Sequence, residues 1–78
     1  MFKFNKFISF WVRIEGLMTV IDTLSAYGTV RVRRTKDGKG YIVGLYCAPD
    51  SMRRCLNDIL RMSQDGITIR DLDIRFRE

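Results

Sequence analysis

Apolar and polar side chains alternate along the first part of the chain. Every second residue from 8 to 14 is apolar: Ile8, Phe10, Val12 and Ile14. Because successive side chains of a β-strand point to opposite faces, this alternation predicts a half-buried strand over residues 8–15. Phe2 and Phe4 continue the apolar phase, so either the strand begins earlier or residues 1–6 form a flexible arm.

The apolar spacing becomes helical after Gly16. Leu17, Val20, Ile21 and Leu24 fall on one face of a helix, which predicts a short helix that Gly28 ends.

Alternation returns over residues 29–35 and predicts a second strand, with Val30 and Val32 on one face and Arg31 and Arg33 on the other. Residues 36–40 read Lys-Asp-Gly-Lys-Gly and predict a hairpin turn, because Asp-Gly supplies the positive φ that tight hairpins need.

Residues 39–46 form the most strand-like run and are apolar on both faces, which is typical of a strand in the interior of a sheet. The pattern leaves two orientations open. One of two sets of residues faces away from the helices: Tyr41, Val43 and Leu45, or Ile42, Gly44 and Tyr46.

A second helix is predicted after Pro49, with Asp50 or Ser51 as its N-cap and Gly66 just past its end. Its apolar stripe consists of Met52, Cys55, Leu56 and Ile59. The last apolar run contains two phases that a regular strand cannot bury together, Ile67 and Ile69 in one, and Leu72, Ile74 and Phe76 in the other. A β-bulge or a small turn near Arg70 and Asp71 would reconcile them.

The element order is therefore β-α-β-β-α-β within a single domain spanning residues 1–78. Two right-handed crossovers joined by a hairpin predict a ferredoxin-like sandwich, an α+β fold with a four-stranded antiparallel sheet and both helices on one face. The other face of the sheet is then open.

Charge and side-chain chemistry narrow the function. Fourteen Lys and Arg residues against nine Asp and Glu give a net charge of +5, which suits nucleic acid or another anionic surface, although solubility alone also accounts for it. The chain has no histidine and no obvious acid pair, so we expect neither an enzyme nor a metal site nor a cofactor. Cys47 and Cys55 lack metal-ligand spacing. They are interpreted as reduced core thiols of a cytoplasmic protein, with a redox pair as the alternative.

No apolar run is long enough to span a membrane, and no signal peptide is evident at the N-terminus. We therefore expect a cytoplasmic protein without a membrane span.

Lys39-Gly40-Tyr41 followed by Tyr46 resembles the third-strand motif of the RNA recognition motif family, with Val43 at that motif's second stacking position. Residues 12–17, Val-Arg-Ile-Glu-Gly-Leu, are similar to the first-strand motif of that family, with Arg13 at its stacking position and Trp11 two residues before it. The resemblance covers most of the chain and matches each motif in part. It implies the same fold and the binding of single-stranded RNA on the open sheet face.

The sequence thus predicts a small, basic, non-catalytic module that binds single-stranded RNA or other nucleic acid. Aromatic rings would stack on unpaired bases and cations would hold phosphates. The candidate binding residues are Trp11, Arg13, Arg31, Arg33, Lys39, Tyr41 and Arg75. Arginines on an edge strand equally prevent aggregation between sheet edges. The alternative function is a regulatory or inhibitory protein-interaction module, including a phage-type effector, that dimerises or binds a partner protein through the sheet face or an edge strand.

Overall fold

The computed structural model describes residues 6–76, and of Phe76 it describes only the backbone. These residues form four strands and two helices in the order β-α-β-β-α-β. Their bounds are β1, Lys6–Arg13; α1, Leu17–Leu24; β2, Gly28–Arg34; β3, Gly40–Cys47; α2, Met52–Gln64; and β4, Ile69–Phe76. Short 3-10 turns, Ile14–Gly16 and Pro49–Ser51, precede the two helices. The chain is therefore an α+β fold with one four-stranded sheet and two helices.

The strands form one antiparallel sheet in the order β2-β3-β1-β4. In the centre, β1 pairs with β3, and Phe10 lies opposite Val43. Because β1 and β2 are both antiparallel to β3, they run parallel to each other with β3 between them. By the same argument, β3 and β4 run parallel with β1 between them. Each helix therefore connects two parallel strands across a central strand.

A single core lies between the helices and one face of the sheet. Its strand residues are Ile8, Phe10, Val12, Val43, Leu45 and Cys47. They are packed with residues from both helices, namely Val20, Leu24, Cys55, Ile59 and Met62. The predicted apolar stripe of α2 is confirmed, since Met52 and Leu56 pack against this core beside Cys55 and Ile59. The opposite face of the sheet has no helix on it in the described part of the chain, and we call it the open sheet face.

Of the two alternatives predicted for β4, a β-bulge or a small turn, the structure has the β-bulge. Ser9 of β1 lies opposite Asp73, whereas Trp11 lies opposite Arg70, so two residues of β4 oppose the single Phe10. Asp71 has a φ of 59°, a left-handed conformation that Asp tolerates better than most residues. The extra residue changes the phase of the strand, so that Ile69, opposite Val12, and Ile74, opposite Ile8, both lie on the helix side.

Several predicted boundaries were wrong. The first strand ends at Arg13, and Ile14 lies in a 3-10 turn with 43% of its surface exposed. The predicted helix end at Gly28 is also wrong, because α1 ends at Leu24 and Gly28 begins β2. The predicted start of α2 is confirmed, since Ser51 is its N-cap, although a 3-10 turn from Pro49 precedes the helix and neither Asp50 nor Ser51 makes a side-chain capping hydrogen bond.

The predictions at both ends of the chain have different outcomes. Lys6 belongs to β1, and the proposed arm otherwise lies outside the described residues. Leu72 and Ile74 were expected to be buried, but 48% and 39% of their surfaces are exposed at the edge of the sheet.

The predicted hairpin turn is confirmed. Gly38 has a positive φ of 72°, and Asp37 folds back so that its Oδ1 accepts hydrogen bonds from Thr35 Oγ1 at 2.6 Å and from the Lys39 backbone N–H at 3.0 Å. The hydroxyl of Thr35 and the backbone of Lys39 favour the ionised carboxylate and lower the pKa of Asp37. No helix in residues 6–76 is long and apolar enough to cross a membrane.

Candidate binding face

The open sheet face carries aromatic and cationic side chains from all four strands. The strand registers place fourteen residues on it: Phe7, Ser9, Trp11 and Arg13 of β1; Thr29, Arg31 and Arg33 of β2; Gly40, Ile42, Gly44 and Tyr46 of β3; and Arg70, Asp73 and Arg75 of β4. Five of these are arginines and one is an acid, so the face is strongly cationic.

A groove lies on the half of this face nearest β2. Phe7 and Tyr46 stand opposite each other on paired strands, with their ring centroids 4.6 Å apart and the planes tilted by 41°. The Phe7 ring lies over Gly44, where an added Cβ would come within 2.9 Å of the ring atoms Cε1 and Cζ. The absence of a side chain at Gly44 therefore lets the ring lie against the sheet and leaves a hollow beside it.

This hollow has a volume of about 370 Å³, and we call it the aromatic groove. The residues that line it are Phe7, Arg31, Val32, Arg33, Ile42, Gly44 and Tyr46. Its floor is apolar and half-buried, while Arg31 and Arg33 are exposed along its β2 side. An apolar floor with aromatic rings beside guanidinium groups suits a ligand that combines a planar ring with a negative charge.

Trp11 lies on the same face but is covered. Only 8% of its surface is exposed. On one side the indole lies against Gly40, where an added Cβ would be 2.4 Å from the ring atoms Cε2 and Cζ2. Above the ring, the guanidinium carbon of Arg70 is 4.1 Å from the ring centroid, within cation–π range. In this arrangement, Trp11 offers no free ring surface for stacking.

The β-bulge is what brings Arg70 to Trp11. If the register that pairs Ser9 with Asp73 continued unbroken, Asp71 would lie opposite Trp11. The extra residue places Arg70 opposite Trp11 instead, so a cation and not an acid lies over the indole. Bulges often re-aim a side chain in this way beside functional sites.

A second hollow adjoins Trp11 at the hairpin end of the sheet, and we call it the Trp11 cavity. It has a volume of about 490 Å³ and is lined by Trp11, Arg13, Ile14, Glu15, Asp37, Lys39 and Arg70. Three cations and two acids surround it. One oxygen of Asp37 already accepts two hydrogen bonds from the hairpin turn.

The structure brings most of the predicted binding residues together. Trp11, Arg13, Arg31, Arg33 and Arg75 lie on the open sheet face, and Lys39 lines the Trp11 cavity. Arg75 is less available than the others, because its Nε donates a hydrogen bond to Asp73 Oδ2 at 2.7 Å.

Tyr41 lies on the other side of the sheet. It stands opposite Val12 and packs against the core, so of the two orientations left open for β3 the structure has the one with Ile42, Gly44 and Tyr46 outward. Val43 is fully buried in the same core. The β3 positions that the family resemblance matches to base-stacking residues therefore face the helices.

The sequence analysis missed Phe7, Tyr46 and Arg70 as candidates. Phe7 shares the odd-numbered phase of Trp11, and this alternation is the signal that identifies it. Tyr46 depended on the undecided orientation of β3. No signal in the sequence gives the register of the bulge, so the position of Arg70 over Trp11 was not predictable.

Groups away from the open sheet face have structural roles. The hydroxyl of Tyr27, in the turn that follows α1, donates a hydrogen bond to Asp58 of α2, and this bond raises the pKa of Tyr27. Cys47 and Cys55 are fully buried free thiols, and burial raises the pKa of Cys55 to about 12. Both observations favour inert core thiols over a redox pair. Within residues 6–76, no three His, Cys, Asp or Glu side chains cluster as metal ligands.

Comparison of the chain with models of known families, with curated proteins and with solved structures finds no significant match.

Proposed function

We propose that the chain is a ferredoxin-like sandwich. In support, two helices each join a pair of parallel strands that have one antiparallel strand between them, and both helices pack on the same sheet face. This architecture leaves one sheet face uncovered, and the binding function is proposed for that face.

We propose that this protein is a non-catalytic module that binds single-stranded RNA or other single-stranded nucleic acid on the open sheet face. The observation that carries the proposal is the aromatic groove, where the contacting rings of Phe7 and Tyr46 lie beside the exposed guanidinium groups of Arg31 and Arg33. Unpaired bases stack on such rings, and arginines beside them neutralise the phosphates.

The free energies of stacking and of the cation–π interaction favour Phe7 and Tyr46 over Trp11 as the first stacking position. A base stacked on an aromatic side chain contributes about 1–3 kcal/mol. On Trp11 the same contact first requires removal of Arg70, whose cation–π interaction is worth roughly 0.5–1 kcal/mol or more. The half-exposed rings of the groove involve no such cost, so we expect the first base to bind there.

Titration of a labelled single-stranded RNA of mixed sequence tests the proposal. We expect Phe7→Leu, which keeps an apolar side chain over Gly44 but removes the ring, to weaken binding by about tenfold, equivalent to roughly 1.4 kcal/mol. Phe7→Leu should leave the thermal unfolding transition nearly unchanged, so that lost binding reports the ring and not the fold.

Salt dependence tests the arginines. For single strands the slope of log K against log salt is about −0.7 per neutralised phosphate, so Arg31→Ala should make the slope less negative by about 0.7. Arg53→Ala is the matched control, because Arg53 is an exposed arginine on α2 and its loss changes the net charge equally. Equal effects of Arg31→Ala and Arg53→Ala would contradict binding on the open sheet face.

The alternative function is a protein-interaction module that dimerises or binds a partner protein. The exposed apolar residues Leu72 and Ile74 at the β4 edge favour it. Against it, both sheet edges carry devices that discourage strand pairing: the arginines of β2 at one edge and the β-bulge with Asp71 at the other. A concentration-dependent dimer in sedimentation experiments, together with no RNA binding at low salt, would favour this alternative.

A further inference from the structure

The two hollows of the open sheet face lie along the same strand. Phe7 contributes to the aromatic groove and Trp11 to the Trp11 cavity, and they are four residues apart on β1. At about 3.3 Å per residue the two positions are about 13 Å apart. A stacked strand of nucleic acid advances about 3.4 Å per nucleotide, so this distance corresponds to about four steps. A strand of five or six nucleotides is therefore long enough to reach both hollows.

The Trp11 cavity has the components of a nucleotide site. Its lining combines an indole, covered by Arg70 in this structure, with three cations, Arg13, Lys39 and Arg70, and two acids, Glu15 and Asp37. The indole packs against Gly40 through Cε2 and Cζ2 and is only 8% exposed, so a base reaches the ring face that Arg70 covers by displacing the guanidinium. A guanidinium displaced from the ring remains beside the cavity, where it can bind a phosphate of the incoming strand.

We propose that the Trp11 cavity is a second nucleotide subsite, closed by Arg70, and that a single strand held in the aromatic groove opens it by replacing the Arg70 guanidinium on the indole with a base. This inference rests on the proposed function. It adds a minimum ligand length and gives Arg70 two positions, over the ring in the free protein and on a phosphate in the complex. Dinucleotides occupy the aromatic groove alone.

Binding and indole contact are measured separately to test this. Oligouridylates of two and six nucleotides are titrated by calorimetry, which reports binding at any position, and by the fluorescence of Trp11, the only tryptophan in the chain. We expect both oligonucleotides to bind, and only the hexanucleotide to quench the fluorescence, by at least twofold. Weakening of dinucleotide binding by Phe7→Leu would locate the dinucleotide in the aromatic groove.

Variants of Arg70 test its two positions. Arg70→Ala should shift the emission of the free protein to longer wavelength and make the salt slope for the hexanucleotide less negative by about 0.7. Arg70→Lys, which keeps the charge but not the planar guanidinium, should shift the emission and retain the slope. Arg75→Ala is the matched control, since Arg75 lies on the same strand and face but is paired with Asp73. It should leave the free-protein emission unchanged.

The outcomes separate the two proposals. Binding of both lengths with no change in Trp11 fluorescence would overturn the second subsite and leave the proposed function intact. The same conclusion follows if Arg70→Ala and Arg75→Ala have the same effects on emission and salt slope. If neither the dinucleotide nor the hexanucleotide binds at low salt, the proposed function and the second subsite are overturned together.

Discussion

Replacement of Gly40 by alanine tests how the open sheet face is built. An added Cβ would lie 2.4 Å from Cε2 and Cζ2 of Trp11 and 2.6 Å from the carbonyl oxygen of Val12. Carbon atoms prefer separations of about 3.5–4.0 Å, so the indole must move by about 1 Å or more. The contact with the Val12 carbonyl oxygen adds a further cost, because the Val12 backbone pairs with strands on both sides and cannot shift without disturbing them.

The expected cost follows from the buried surface of Trp11. A buried Trp covers about 150–250 Å², which at about 25 cal/mol per Å² corresponds to about 4–6 kcal/mol. If the displaced indole loses half of this contact, the loss is about 2–3 kcal/mol. Alanine at position 40 also stabilises the protein by about 0.4–1 kcal/mol, because it restricts the unfolded chain more than glycine does. With the Val12 contact added, we expect Gly40→Ala to lower the free energy of unfolding by at least about 2 kcal/mol and the Tm by at least about 8–16 °C.

Urea denaturation followed by circular dichroism measures this change, and the emission maximum of Trp11 reports the position of the indole. Gly44→Ala is the matched control. Its Cβ would meet only Cε1 and Cζ at the far end of the Phe7 side chain, at 2.9 Å, and that ring can shift. A smaller loss, below about 1 kcal/mol, is therefore expected. A Gly40→Ala protein with unchanged emission and stability within about 0.5 kcal/mol of wild type would refute the packing of Trp11 on Gly40.

Three further predictions concern other parts of the fold. Asp71→Gly should be neutral or slightly stabilising in urea denaturation, whereas Asp71→Val should cost about 1–2 kcal/mol, because residue 71 has a positive φ; equal stabilities would contradict the bulge geometry. Tyr27→Phe should lose about 1 kcal/mol at neutral pH. Because the hydrogen bond to Asp58 raises the pKa of Tyr27, this difference should persist below about pH 10 and disappear at higher pH as the unfolded-state tyrosine ionises; a difference that instead grows above pH 10 would contradict it. Cys47 and Cys55 should resist a thiol reagent at pH 8 until the protein unfolds, since burial raises the pKa of both; a disulfide formed by mild oxidation of the native protein would favour the redox pair.

The sequence predicted the elements well where one face of an element is apolar and the other polar. The alternation in β1, the helical spacing of α2 and the Asp-Gly turn each reflect a single constraint that local sequence satisfies. The conflict of phases in β4 likewise predicted a β-bulge or a small turn, because two apolar sets cannot share one face of a regular strand.

The candidate site was harder to predict because it depends on pairings between strands. β3 is apolar on both faces, so its own sequence cannot choose between Tyr41 and Tyr46 as the outward residue. The choice is made by the register with β1, which places Tyr41 opposite the buried Val12. Gly40 is part of the motif that resembles the RNA recognition motif family. The absence of a side chain at this position is explained locally, because the ring of Trp11 lies over it.

The central claim is that single-stranded nucleic acid binds on the open sheet face, and chemical-shift mapping tests it most directly. Titration of ¹⁵N-labelled protein with a single-stranded RNA at low salt should move the backbone amide signals of residues on this face, above all Phe7, Gly44 and Tyr46. The signals of Met18 and Arg53, exposed on the two helices, should stay in place. Shifts concentrated on α1 and α2, or no shifts at saturating RNA, would contradict the claim.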